Sequence, residues 1–370
     1  MTRQVFFHSL EDAFRHELEP LDLGQGLSGL VAALRLDGAA GSISPWGLKV
    51  QLGPQSHTSA VPPAWARTVA EALTGNSGID PAKHIFCFDT LSISTKGLDQ
   101  AETHLGMAKV KGYGPEGNGL RYLVADGPGM GPSLVADPAG DPDLAGLTLA
   151  GALDQVGGLC LLAPVRPHPH VGFTGAVTGL GPGLADREGK LLLHRDIRPK
   201  VNTPLCAGCG SCLAVCLFDA IAIDGGRAFI DHEKCTGCGE CMNVCFMAGI
   251  SAEDSAGIPS FQRKLATAAR AAFDTLIDGR SGRAGYFNLL VRLDRHSGGA
   301  RARGRKRLGD VGVLASRDPV ALDQATWDLI VDRMAGPLSS WSGFQQEPGH
   351  LLEQAEHLGL GTRSYRLVQI

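Results

Sequence analysis

Eight of the chain's ten cysteines lie between positions 206 and 245, in two runs that superpose when the sequence is shifted by 29 residues. Cys206 falls on Cys235, Cys209 on Cys238, Cys212 on Cys241 and Cys216 on Cys245. Each run reads C-x2-C-x2-C-x3-C, the spacing with which bacterial chains hold two [4Fe–4S] clusters. Three thiolates three residues apart wrap one face of a cubane, and the fourth reaches the other cube. The expectation is therefore crossed. Cys206, Cys209, Cys212 and Cys245 would hold one [4Fe–4S] cluster, and Cys235, Cys238, Cys241 and Cys216 the second. Gly208, Gly210, Gly237 and Gly239 suit loops this tight, because glycine turns at little steric cost and lets backbone N–H groups approach the sulfurs. Zinc ribbons place paired C-x2-C knuckles about 15–20 residues apart, without third and fourth cysteines. Disulfides need an oxidising compartment, which nothing in the sequence suggests. One departure stands out. Leu217 and Phe246 follow the fourth cysteines, where the motif carries proline. Proline has no N–H and a fixed φ. Its replacement gives either an apolar cover for each cluster or an extra N–H donor beside its sulfurs.

With 370 residues the chain has room for two to three domains and a sizeable core. The formal net charge of −4 gives no global attraction to nucleic acid or an anionic membrane surface. Charge appears too early in "MTRQVFFHSLEDAFRHELEP" for a signal peptide, and no apolar run reaches about 18 residues. A cytoplasmic protein with reduced thiols and no membrane span is expected. Fifty glycines, about twice the usual share of roughly 7%, predict many tight turns.

The cysteine block interrupts an alternation of strands and helices. Short β-rich apolar runs predict strands at 48–52, 84–90, 120–126, 157–165, 288–293 and 311–316. Apolar stripes predict one helix over 61–73 and another over 261–276. Asp318–Pro319 reads as cap and first-turn proline of a helix running to Met334. Strands alternating with helices argue for an α/β fold, a mostly parallel sheet domain covered by helices. The expected organisation is an α/β domain in two parts, 1–197 and 256–370. Between them, 198–255 would be an inserted ferredoxin-like module with two [4Fe–4S] clusters.

"WGLKVQLG", "CFDT", "ADGPGMG", "GFTGAVTGLGPGLADREGKLLLH" and "DVGVLASRDPVALDQATWDLI" bracket the double cysteine motif. In these segments the chain resembles the iron–sulfur-centre proteins that carry domain of unknown function 362. The resemblance spans nearly the whole sequence and implies an α/β domain with a ferredoxin module inserted. Arg166 stands where that pattern usually has lysine, and Thr178 and Gly179 replace its lysine–asparagine pair. "LDRH" at 293–296 replaces a Cys-Asp-Cys of some relatives, so the resemblance implies no extra metal site there.

Outside the cysteines, Lys49, Asp89 and Asp126 lie in or at the ends of predicted strands, where open α/β sheets gather ligand groups. Arg166, His168 and His170 alternate with Pro167 and Pro169. An extended chain would align the three on one face for a metal or anion, whereas a solvated loop would not. Asp323, one turn into the last long helix, faces either a site or solvent. The glycines from Gly172 to Gly183 could cradle an anion with backbone N–H groups, but match no nucleotide motif and read as structural turns. Lys49, Arg166 and His168 are expected to converge on one cleft. "RARGRKR" at 301–307 is a solvated basic loop or a seat for an anionic partner. Cys87 and Cys160, inside apolar strands, read as core thiols.

These residues point to a redox protein, an oxidoreductase if it is an enzyme. It would pass single electrons between a partner protein or small carrier and a site on the α/β domain, for which an anionic small molecule is one candidate ligand. The competing readings are a non-catalytic electron-transfer subunit docking on a partner oxidoreductase, and a structural or sensing iron–sulfur protein. An enzyme requires a polar pocket beside a cluster, and a carrier an exposed cluster edge.

Overall fold

The short apolar runs become strands of one eight-stranded sheet. The computed structural model describes the chain outside residues 1–2, 11–21, 37–44, 54–59, 76–77, 139, 253–256, 277–282 and 294–307. Its strands are β1 (Arg3–Ser9), β2 (Trp46–Val50), β3 (Ile85–Asp89), β4 (Arg121–Val124), β5 (Gly158–Pro164), β6 (Ala284–Leu290), β7 (Gly312–Ser316) and β8 (Tyr365–Gln369). They lie in the order β8-β1-β7-β6-β5-β2-β3-β4. All neighbours are parallel except β7, which runs against both β1 and β6. The mostly parallel sheet is as expected. β1 and β8, which complete one edge, carry no equivalent in the sequence reading.

Both faces are covered. Alternation along β5 sends Leu159 and Leu161 to one core and Cys160 and Leu162 to the other. The second core is closed by α1 (Gly24–Ala33) and α2 (Pro63–Thr74), through Leu27, Leu30, Trp65 and Val69. The first is closed by α3 (Ala176–Leu184), α4 (Arg187–His194), α5 (Gly257–Leu276) and α6 (Pro319–Met334). The last begins as read: Asp318 accepts hydrogen bonds from the N–H groups of Val320 and Ala321, and Pro319 occupies the first turn.

One reading needs correction. The Gly172–Gly183 stretch does not stay in turns, because Ala176–Leu184 is helical despite Gly179, Gly181, Gly183 and an internal Pro182. The reason is tertiary. A Cβ on Gly181 would stand 3.0 Å from the Leu265 carbonyl of α5, so glycine is what lets the two helices close up. That contact outweighs the roughly 1 kcal/mol by which each glycine disfavours a helix.

The cysteine segment leaves the α/β layer through a two-stranded base, where Lys200 and Val201 pair antiparallel with Ser251 and Ile250. Within it stand short helices Ser211–Val215 and Glu240–Asn243 and a hairpin of Ile221–Asp224 with Arg227–Ile230. Cys212, Ile221, Ile230, Cys241 and Met242 belong to the same continuous core as the first layer of helices. No helix among the described residues is long and apolar enough to cross a membrane.

Candidate functional site

A cleft of about 270 Å³ opens at the carboxyl ends of β2, β3 and β5, the edge where parallel α/β sheets bind ligands. Lys49 enters it from β2. Its Nζ donates to Asp89 Oδ1 of β3 at 2.6 Å, and both side chains are about 10% exposed. Asp89 also accepts from the N–H groups of Leu52 and Thr90. Burial pushes this carboxyl up, but the Lys49 ammonium, His104 and these hydrogen bonds outweigh it, so its pKa falls below the ordinary value. Lys190 comes from α4 on the far side. It donates to Thr90 Oγ1 at 2.6 Å and to the Leu91 carbonyl. Desolvation, against the pull of Asp126, Asp89 and Asp186, brings its ammonium down to about 8.

Three histidines gather on Phe261 at the other end of the cleft, with ring centroids 4.7–6.5 Å from its ring. His168 and His194 line the cleft. His168 Nδ1 accepts from the His170 N–H, which leaves Nε2 to carry the proton of the neutral ring. In His194 the roles reverse: Nδ1–H donates to the Lys190 carbonyl at 2.8 Å and Nε2 is a lone pair. Burial holds His168 down to about 3 and His194 to about 4, so both are neutral at physiological pH. His170 is fully buried and donates Nε2–H to the Gly237 carbonyl, tying the cleft wall to the second cysteine loop. The Arg166–His168 segment is thus a half-buried strand paired with Gly172–Thr174 and not a solvated loop.

The cysteines surround two small cavities. Cys206, Cys209, Cys212 and Cys245 line one; Cys216, Cys235, Cys238 and Cys241 line the other. Cys238 lines the cleft as well. All four loop glycines have positive φ, between 64° and 85°. N–H groups meet the sulfurs: Ala228 donates to Cys206 and Gly249 to Cys245, while Gly237 and Glu240 donate to Cys235 and Cys238. Among the described residues no three His, Cys, Asp or Glu side chains are gathered for a single metal ion. A tetrahedral ion draws its sulfurs to about 2.3 Å, whereas a cubane holds four thiolates further apart, around a volume instead of a point. Thiols around a cavity, with N–H donors aimed at sulfur, form a donor set that suits such a cluster. Phe246, in the proline position of the motif, is 46% exposed and Leu217 is half-buried, so Phe246 does little to cover the first cavity.

Of the other anticipated residues, only some reach the cleft. Lys49, Asp89 and His168 do, but Arg166 does not. Its guanidinium donates to the Val165 and Val291 carbonyls, and desolvation lowers it to about 10. The expected convergence of Lys49, Arg166 and His168 therefore fails for the arginine. Asp126 accepts from the Leu91 N–H behind the cleft wall, and its other oxygen is buried without a hydrogen bond. Asp323 faces neither site nor solvent. It accepts from the N–H groups of Ala176 and Val177 and from Asn288 Nδ2, anchoring the start of α3, and burial raises it to about 6. Cys87 and Cys160 are fully buried with thiols pushed up to about 12 by desolvation, as inert core residues should be. The basic run 301–307 and most of "LDRH" lie outside the described residues. Lys190 and His194 were not anticipated. Their spacing of four on α4 places both on one helix face, a signal present in "GKLLLH".

A Thermotoga maritima protein of known crystal structure, solved as a target of the Northeast Structural Genomics Consortium, is 14% identical to the chain. The match covers 74% of this chain and 52% of that one, with a TM-score of 0.34. The chain spans about half that protein's length, and the likeness is too weak to carry an argument. No curated protein matches the sequence. The model of the family described as Domain of unknown function (DUF362) matches residues 47–328, from β2 into α6 with both cysteine runs inside, and the chain belongs to that family.

Proposed function

We propose that this chain is an iron–sulfur redox protein in which two [4Fe–4S] clusters serve a reaction site in the cleft. Cys206, Cys209, Cys212 and Cys245 would hold one cluster, and Cys216, Cys235, Cys238 and Cys241 the other. Bound there, the clusters supply one-electron transfer, with an external carrier as the source or sink. A single observation carries the reading: Cys238 lines both the second cysteine cavity and the cleft. An electron at that cavity is one side chain away from a polar pocket with buried acid–base groups. Lys190 offers a proton source poised near neutrality, the range in which acid–base catalysts work best. His168 offers an N–H and His194 a lone pair. The Lys49–Asp89 pair fixes the floor between them. A pure electron carrier has no need of this cleft, which favours an oxidoreductase.

The test is chemical. Protein purified anaerobically should contain about eight iron and eight acid-labile sulfide per chain, the content of two cubanes. Stoichiometric zinc with negligible sulfide would overturn the reading.

A further inference from the structure

The two cysteine runs are equivalent in sequence but unequal in surroundings. Leu213 is 45% exposed, while Met242, its counterpart in the second run, is 2% exposed. A Cβ on Gly210 would meet nothing within 4 Å. On its counterpart Gly239 it would stand 2.9 Å from His170 Nε2. Cys209 is exposed, whereas its counterpart Cys238 lines the cleft. The second run is thus packed on the α/β layer, and the first is turned outward.

What it presents is apolar. Leu205, Leu213, Phe246 and Met247 are 40–46% exposed, and they are four of the ten large apolar side chains exposed among the described residues. Met247 lines the first cavity itself, and each of the others adjoins a residue that does: Cys206, Cys212 and Cys245. Scattered exposed apolar residues need no explanation, but a cluster around one cavity marks a docking surface. Charge does not define it. Between residues 198 and 234, Arg198, Lys200, Arg227 and Lys234 are balanced by Asp219, Asp224, Asp231 and Glu233.

We propose that this face docks a small one-electron carrier protein, which exchanges electrons at the first cavity while substrate is handled in the cleft beside the second. The inference rests on the redox reading above. The step is balanced without chemistry at the surface: the reduced carrier loses one electron, the chain gains it, and no bond forms or breaks. Electron exchange demands close approach, and Cys209 is the exposed thiol of the cavity that these side chains border. A second copy of this chain would bring two equal cavities together, with no potential difference to drive transfer. Transient electron-transfer encounters are small, burying less than about 1,200 Å², and a patch of four side chains suits that class.

Stopped-flow reduction of the anaerobic full-length protein tests this with two probes, a photoreduced bacterial ferredoxin and the methyl viologen radical. Leu213→Asp combined with Phe246→Asp should slow the ferredoxin reaction by about tenfold or more, equivalent to about 1.4 kcal/mol. Viologen rates and iron content should stay the same. Because the face carries balanced charge, added salt should change the wild-type rate little. Unchanged ferredoxin rates in variants with full iron would overturn the inference while leaving the redox reading intact. So would a concentration-dependent dimer that the variants abolish without slowing ferredoxin. A chain that takes up no iron overturns the redox reading, and this inference with it.

Discussion

Lys190 shows how one side chain acquires chemistry from its surroundings. An ordinary lysine loses its proton near pH 10.4. Taking the ammonium out of water penalises the charged form, and the carboxylates of Asp126, Asp89 and Asp186 offset this only in part, which leaves a value of about 8. The sign follows directly: the side chain is mostly ammonium at pH 7 and mostly amine at pH 9. Competitive acetylation with limiting acetic anhydride, read by peptide mass spectrometry, should show Lys190 reactivity rising through about pH 8. A midpoint near that of a free lysine would remove it as a proton source. Its helix face with His194 could be read from sequence, but its chemistry could not, because the groups that desolvate and hold it are remote. Thr90 and Leu91 lie about a hundred residues away along the chain. Lys49 and Asp89 were legible, since strand ends in a parallel sheet point to a binding edge whatever the substrate. Arg166 was misassigned for the opposite reason: it shares a strand face with His168, but a shared face does not fix where a long side chain ends, and its guanidinium turns back to the Val165 and Val291 carbonyls.

At the scale of elements, the sheet could be read because apolar runs with turn residues at their ends are local signals. The long α5 and α6 carried clear stripes and α6 a clear cap, whereas α5 starts at Gly257, ahead of the Ser260 cap its sequence suggests. The helix α3 was hidden by its own composition, since glycine and proline are written there for packing and not for turning. Gly181 admits α5, and Gly175 leaves room for the Asp323 carboxylate that holds the helix start. Asp323→Ala should therefore act on α3 and not on α6, the helix in which Asp323 resides. It strips acceptors from the N–H groups of Ala176 and Val177 and from the buried Asn288 amide. Leaving such donors unpaired costs about 1–3 kcal/mol each. Hydrogen exchange should accelerate across Ala176–Leu184 while Pro319–Met334 keeps its protection. Equal loss in both helices would show that Asp323 serves α6 instead. Because Thr178 and Gly179 of α3 line the cleft, the same change should loosen the site without touching a polar group inside it.

At the scale of the whole molecule, the cysteine segment and the α/β layer are arranged so that each half of the tandem repeat meets a different neighbour. The first cavity faces outward, and the second shares Cys238 with the cleft and is tied to it by His170. Each cavity nevertheless draws one cysteine from the other run: Cys245 closes the first and Cys216 the second. This interlocking makes a prediction that sequence order alone would get wrong. Cys216→Ala lies in the first run, yet it should cost the cluster proposed beside the cleft, lowering iron from about eight to about four per chain. The residual electron paramagnetic resonance signal of the reduced variant should match that of Cys238→Ala. In the same way Cys245→Ala should match Cys209→Ala, although those residues belong to different runs. Signals that pair by run instead, Cys216 with Cys209 and Cys245 with Cys238, would mean that each run closes its own cluster. The proposed electron route from the outward face to the cleft would then have to be redrawn.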